Sequence, residues 1–179
     1  MYKNIQNILE MKDKEKITVL TGYDSTMVTL CDQVDIILVG DSAGMVMLGY
    51  EDTSSVTMED MIRFTTAAKN GRKNSLIVSD LPINSYKTEK DAIRNSLKLI
   101  EAGADAVKLE GGKEIAKIIK SITEAKIPVM GHLGLFVNIN PIFLKRYLFL
   151  SYEIIYVVKS YVTVVKVDKF PFIEHEFQM

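Results

Sequence analysis

One cysteine among 179 residues excludes an intramolecular disulfide, so any fold must rest on its core alone. The start, MYKNIQNILEMKDKEK, lacks the apolar run that a signal peptide needs, and a reducing cytoplasm is the expected setting. Cys31 itself lies in the apolar run TMVTLC, where a buried structural thiol is a better reading than a nucleophile. Charge of one sign is lacking too. With 22 basic and 23 acidic residues the formal net charge is -1, which gives no electrostatic reason to expect a nucleic acid or an anionic membrane as partner. Only two histidines are present and no Cys/His cluster exists to build a zinc site. Long uncharged apolar runs are also missing. A spanning helix needs about 20 such residues, and Arg146, Glu153, Lys159 and Lys166 interrupt the most apolar region. What remains, 47% hydrophobic and 25% charged, is the composition of a soluble globular domain.

Glycine is lacking in one place only. All 10 glycines lie in residues 1–135, whereas 136–179 hold ten aromatics and neither glycine nor alanine. The chain therefore divides by composition into 1–135 and a tail, 136–179, that reads as unrelated and as the translation of an AT-rich frame after a frameshift. In the first part short β-rich apolar runs alternate with amphipathic stretches, the pattern of successive βα units around a parallel sheet. Five strands are expected, at Ile17–Thr21, Asp35–Val39, Ser75–Ser79, Asp105–Leu109 and Ile127–Met130. Thr57-Met-Glu-Asp60 and Thr88-Glu-Lys-Asp91 each set a capping hydroxyl before an acidic first turn and predict helix starts. The second helix should bury Ala92, Leu97 and Ile100 and stop at Gly103. Gly111-Gly112 turns the chain toward a further helix carrying Ile115, Ile118, Ile119 and Ile122.

Four of these runs end in polar residues: IILVG into Asp41-Ser42, LIVS into Asp80, AVKL into Glu110 and IPVMG into His132. In a β/α barrel such positions converge on the C-terminal rim, where the active sites of that fold sit. Loops also begin at strand ends, and any one of these residues alone is as well explained by that. Together, three carboxylates on one mouth repel one another, and a divalent cation keeps them ionised. Their hard oxygens suit Mg²⁺ rather than zinc. Lys108 alternates onto the face of Glu110, and an inward lysine suits an anionic substrate. The segment Gly40-Asp41-Ser42-Ala43-Gly44 lacks the lysine and spacing of a phosphate loop, and Ser42 lacks the elbow of a nucleophilic serine.

The ordered blocks Thr21-Gly-Tyr-Asp24, Leu38-Val-Gly-Asp-Ser-Ala-Gly-Met45, Val56-Thr-Met-Glu-Asp-Met61, Asp80-Leu-Pro, Ser85-Tyr86, Gly103-Ala-Asp-Ala-Val-Lys-Leu-Glu-Gly-Gly112 and Ile127-Pro-Val-Met-Gly-His-Leu-Gly-Leu135 resemble the N-terminal half of the ketopantoate (3-methyl-2-oxobutanoate) hydroxymethyltransferase family. The resemblance implies a (β/α)8 TIM barrel of the phosphoenolpyruvate/pyruvate superfamily type. It also implies transfer of a one-carbon unit from 5,10-methylenetetrahydrofolate to 3-methyl-2-oxobutanoate, in pantothenate synthesis. Carried over residue by residue, it places Asp41, Asp80 and Glu110 around Mg²⁺, directly or through water. Asp41, Ser42, Asp80 and Lys108 would bind the 2-oxo acid; His132, a residue type more often structural than a ligand, is kept from the strand-end pattern as a secondary substrate contact only. The metal would act as a Lewis acid and the folate would carry the reactive carbon. A homo-oligomer is implied for intact members, and no nucleic-acid or membrane partner.

Ile83 stands where the family usually has an aromatic, and no histidine lies near Phe64. After Leu135 the family continues with Thr-Pro-Gln and about as much chain again, including the glutamate that accepts the proton; none of that is recognisable here. An eight-unit barrel takes about 250 residues, so about five βα units and an atypical tail are expected, with no catalytic base. Glu153, Glu174 and Glu176 are not positioned by any motif to replace it. Tyr161-Val-Thr-Val-Val165 reads as an added strand or an aggregation-prone edge. A related Mg-dependent 2-oxo-acid lyase or mutase, and a non-catalytic binding or assembly remnant, are the alternatives.

Overall fold

The computed structural model describes residues 2–132, 155–160 and 162–163. The chain divides into two units, Met1–Leu135 and Phe136–Met179. In the second, residues 155–160 and 162–163 are helical. The expected strand through Tyr161–Val165 is therefore not formed at Val162 and Thr163, and the rest of that run lies outside the described residues, as do Glu153, Glu174 and Glu176.

The first unit begins with α1 (Ile5–Met11) and then alternates strand and helix: β1 (Val19–Thr21), α2 (Ser25–Cys31), β2 (Ile36–Val39), α3 (Ala43–Met47), α4 (Met58–Gly71), β3 (Leu76–Asp80), α5 (Glu89–Ala102), β4 (Ala106–Glu110), α6 (Ala116–Glu124) and β5 (Val129–His132). The strands form one sheet in the order β1-β2-β3-β4-β5, every neighbour parallel. Sequential order with parallel pairing and helical crossovers is the arrangement of the first five units of a β/α barrel. All five expected strands are present, starting one or two residues later than the apolar runs. The starts move because Asp35 and Asp105 are spent on the turns below the sheet. Asp35 accepts hydrogen bonds from the Thr18 amide and hydroxyl and pairs with Lys3. Asp105 accepts from the Ile77 amide and pairs with Arg72.

The helix starts follow the capping chemistry. Thr57 accepts from the Asp60 amide while Asp60 reaches back to the Thr57 amide, and Thr88 accepts from the Asp91 amide. Gly103, at φ +117°, ends α5 in the left-handed region that glycine adopts without strain. On α5 the buried residues are Ala92, Asn95, Ser96 and Leu99, while Leu97, expected on that face, is exposed. The stripe runs at spacings of three and four through two polar residues, one of which, Asn95, donates to the Ser85 carbonyl. An apolar count could not select it. Cys31 is only partly buried, packed against the core rather than within it as expected.

Alternation along the strands sorts the core into two layers. Ile37, Val39, Ile77, Val107 and Leu109 face the helices and pack on Val28, Met61, Ala68, Ala92, Leu99 and Ile122. Ile36, Leu76, Val78 and Ala106 face the other way, covered by Ile5 and Ile8 of α1. Parallel sheets are stable when both faces are covered, and α1 covers the inner one. Because Lys3 donates to the carbonyl of Asn74, just before β3, α1 sits at the N-terminal ends of the strands and leaves the opposite rim clear.

Candidate functional site

The register fixes which side chains share the inner face at the C-terminal rim. Asp80 pairs with Lys108 and Glu110 with His132 across neighbouring strands, so all four lie on one side of the sheet. The Lys108 ammonium lies 2.7 Å from Asp80 Oδ1 and 3.5 Å from Glu110 Oε1. His132 Nδ1 is 2.6 Å from the same Glu110 oxygen. Since a carboxylate only accepts, this bond puts the imidazole proton on Nδ1. Asp80 and Lys108 are both buried, whereas Glu110 is exposed and His132 half-exposed. The result is a row of carboxylate, ammonium, carboxylate and imidazole, grading from buried to open.

Asp41 and Ser42 reach this row from the loop after β2. The Asp41 amide donates to Asp80 Oδ2 at 3.3 Å, and Gly40 makes the approach feasible. A Cβ there would meet Ser42 Oγ at 2.9 Å and Asp80 Oδ2 at 3.6 Å. Burial, reinforced by the charge of Asp80, raises the Asp41 carboxyl to about 6, with Lys108 opposing. Burial likewise pushes Asp80 upward, against the pull of the Lys108 ammonium.

Every residue expected at the site from the sequence, Asp41, Ser42, Asp80, Lys108, Glu110 and His132, therefore lies on or beside one rim. Two residues were not anticipated there. Tyr23 Oη is 2.9 Å from Ser42 Oγ, and the Tyr86 hydroxyl donates to the Glu110 carbonyl at 3.2 Å. Both stand inside blocks that carried the family resemblance, and a tyrosine just beyond a strand or before a capped helix was the available signal.

Whether this rim suits a divalent cation turns on its donors. Among the described residues no three Asp, Glu, His or Cys side chains gather closely enough to enclose a metal by themselves. Three carboxylates nevertheless meet only one ammonium, which leaves the rim with excess negative charge and hard oxygen donors. A Mg²⁺ ion that keeps most of its water and takes one or two carboxylates fits such a donor set.

The geometry defines a class first: a partial β/α barrel with an acidic rim at the strand C-termini. Among solved structures, a phosphonopyruvate hydrolase in complex with oxalate and Mg²⁺ superposes with a TM-score of 0.62 at 15% identity, over 73% of this chain and 52% of that one. A 2,3-dimethylmalate lyase of the PEP mutase/isocitrate lyase superfamily gives a TM-score of 0.56 at 16% identity, over 73% of this chain and 51% of that one. At these identities the likeness establishes the fold.

The family follows from sequence. The ketopantoate hydroxymethyltransferase model matches residues 2–138, and the chain belongs to that family. The 3-methyl-2-oxobutanoate hydroxymethyltransferase of Nitrosopumilus maritimus is 57% identical over 139 residues, covering 75% of this chain and 50% of that protein. That of Cenarchaeum symbiosum is 58% identical over 126 residues, covering 70% and 48%. The chain thus spans about half the length of the curated relatives it matches. No helix among the described residues is long and apolar enough to cross a membrane.

Proposed function

We propose that this chain carries the metal- and oxo-acid-binding half of a 3-methyl-2-oxobutanoate hydroxymethyltransferase site, working on a small cytoplasmic 2-oxo acid. The observation that carries the reading is the row Asp80–Lys108–Glu110–His132 with Asp41 and Ser42 beside it, on a segment over half identical to enzymes of that name. Asp41, Asp80 and Glu110 would hold Mg²⁺, directly or through water. When bound, the ion supplies Lewis-acid polarisation of the substrate's ketone. Lys108 sets a fixed positive charge against the anionic substrate, and its ion pair with Asp80 holds it on the rim in one orientation. Ser42, hydrogen-bonded to Tyr23, presents a hydroxyl to the substrate carboxylate. Asp41, Ser42 and Asp80 would complete the oxo-acid contacts, and His132, its ring held by Glu110, lies further out on the same rim. The one-carbon unit would come from 5,10-methylenetetrahydrofolate.

The glutamate that the family resemblance names as proton acceptor has no counterpart among the described rim residues. Asp80 is committed to Lys108 and Glu110 to His132 and Lys108. General-base catalysis is worth about 10²- to 10⁴-fold, so the chain alone is expected to bind without efficient turnover. Identity above one half to hydroxymethyltransferases, against likeness of fold alone to the lyases and hydrolases, favours the one-carbon chemistry over C–C or P–C cleavage. Titration calorimetry with Mg²⁺ and 3-methyl-2-oxobutanoate, followed by a turnover assay with methylenetetrahydrofolate, tests both halves of the reading. Metal-dependent oxo-acid binding with no turnover is expected. Absence of binding overturns the site, and turnover near that of a full-length relative overturns the incompleteness.

A further inference from the structure

Ser42 stands at the N-cap of α3, where a serine hydroxyl ordinarily accepts a bond from an amide of the first turn. Here it makes no such bond. A capping serine is extended, whereas Ser42 is itself turned into the helical region, at φ -53° and ψ -15°, and its carbonyl takes the Met45 and Val46 amides. The hydroxyl is left to the rim. Among the described residues its one partner is the Tyr23 hydroxyl, at 2.9 Å, and neither Asp41 nor Asp80 accepts from it.

Tyr23 is held in place from its backbone and from its ring. On one side Gly22 donates to the Leu38 carbonyl of β2, and a Cβ at Gly22 would fall 2.8 Å from Cγ2 of the buried Val28, so the chain runs close against α2 and the sheet. On the other side Asp24 caps α2 by accepting from the Met27 amide. The ring of Phe64, on α4, meets the Tyr23 ring edge to face with centroids 6.3 Å apart. Loop and ring together keep the phenol against Ser42.

We propose that Tyr23 is a positioning residue for the oxo acid: its phenol donates to Ser42 Oγ and leaves the serine's single proton for the substrate carboxylate. The inference rests on the reading above that this rim binds a 2-oxo acid. A serine hydroxyl has one proton and two lone pairs. Given to Tyr23, the proton would leave only lone pairs facing an anionic ligand. Accepting from Tyr23 instead uses one lone pair and keeps the proton available. The phenol is the better donor of the two, because its ring spreads the charge that develops on oxygen. Beside Asp41 and Asp80 an incoming carboxylate is repelled unless a donor is turned toward it. The direction of one hydrogen bond therefore decides whether Ser42 attracts or repels the ligand.

Titration calorimetry on the full chain measures Mg²⁺ alone and then 3-methyl-2-oxobutanoate at saturating Mg²⁺. Ser42→Ala removes a hydrogen bond to a charged group and should weaken oxo-acid binding by about 10- to 100-fold, and Tyr23→Phe, which keeps the ring against Phe64, by about 3- to 10-fold. In the Ser42→Ala background Tyr23→Phe should cost less than about 2-fold, because the group it acts through is already gone. Mg²⁺ affinity should be the same in all of them. Equal losses from Tyr23→Phe in both backgrounds, no loss, or a parallel fall in Mg²⁺ affinity would each overturn the proposal. The direction of the bond is read without ligand by NMR of tyrosine labelled at Cζ, where the resonance lost in Tyr23→Phe belongs to Tyr23. A donating phenol is deshielded at Cζ, so Ser42→Ala should move that resonance upfield, and a downfield move or none would show that the serine donates and sink the proposal. The two readings fail differently. A parent chain that binds no oxo acid sinks the proposed function and this role for Tyr23 with it, whereas oxo-acid binding that Tyr23→Phe leaves unchanged sinks the role alone.

Discussion

Lys108 Nζ stands 2.7 Å from Asp80 Oδ1, with both side chains more than nine-tenths buried. Removing one partner of such a pair leaves the other charge uncompensated, at a cost of about 3–5 kcal/mol. Burial already pushes the Asp80 carboxyl toward its neutral form, which softens the loss. Lys108→Met is therefore expected to cost about 3 kcal/mol in urea unfolding at neutral pH. Adding Asp80→Asn should recover part of it, because the stranded charge is then gone. A loss from Lys108→Met below about 1 kcal/mol would mean the pair is held without contributing to the fold.

Asp35 governs the opposite end of the sheet. Burial alone would raise its carboxyl, but hydrogen bonds from Lys3 and Thr18 outweigh it and hold the group at about 2. A carboxyl depressed on folding contributes stability that is complete above its unfolded value near 4 and is lost as the pH falls through about 2. Asp35→Asn should lower stability at pH 5 to 7 and flatten the acid limb of the profile between pH 4 and 2. Parallel profiles for the two proteins across that window would refute the assignment.

The two ends of the strands show how far the sequence could be read. Apolar runs and capping motifs located all five strands and the main helices, because periodicity and first-turn chemistry are local. Aspartates beside the strands look alike in sequence, yet Asp35 and Asp105 tie turns beneath the sheet while Asp41 and Asp80 meet on the rim above it. Strand direction separates them, and direction was legible once parallel βα units were inferred. The contacts of Tyr23 and Tyr86 were not legible, since each depends on a loop meeting a distant strand. Nor was the buried face of α5, where Asn95 and Ser96 take positions that an apolar pattern assigned to Leu97.

Gly71 illustrates a constraint that lies entirely in packing. It sits at the end of α4 with an ordinary backbone conformation, yet a Cβ there would fall 2.2 Å from the Ser25 carbonyl oxygen at the start of α2. Helix propensity alone favours alanine over glycine by about 1 kcal/mol. The clash is with backbone, which cannot swing aside, and overpacking of this kind costs about 1–3 kcal/mol. Gly71→Ala is expected to lower the thermal midpoint, and a raised midpoint would show that α2 and α4 can separate freely.

Asp32 and Asp41 offer the sharpest contrast between support and site. Asp32 is buried and accepts bonds from the amides of Lys73, Asn74 and Ser75, so Asp32→Ala strands three donors, at about 1–3 kcal/mol or more. Asp41 stands close to another carboxylate and is raised to about 6 by burial and by Asp80. A carboxyl raised on folding favours the fold at low pH, and that contribution is lost as the pH rises from about 4 through about 6. In a chelator, the chain should therefore lose stability over that window, and Asp41→Asn should lose less. The same substitution should abolish Mg²⁺-dependent oxo-acid binding in calorimetry, whereas the folded fraction of Asp32→Ala should bind as the parent does. Stabilisation with loss of binding at Asp41, against destabilisation with binding kept at Asp32, is the pattern of a rim built for a ligand; equal loss of stability at both would make Asp41 a structural residue.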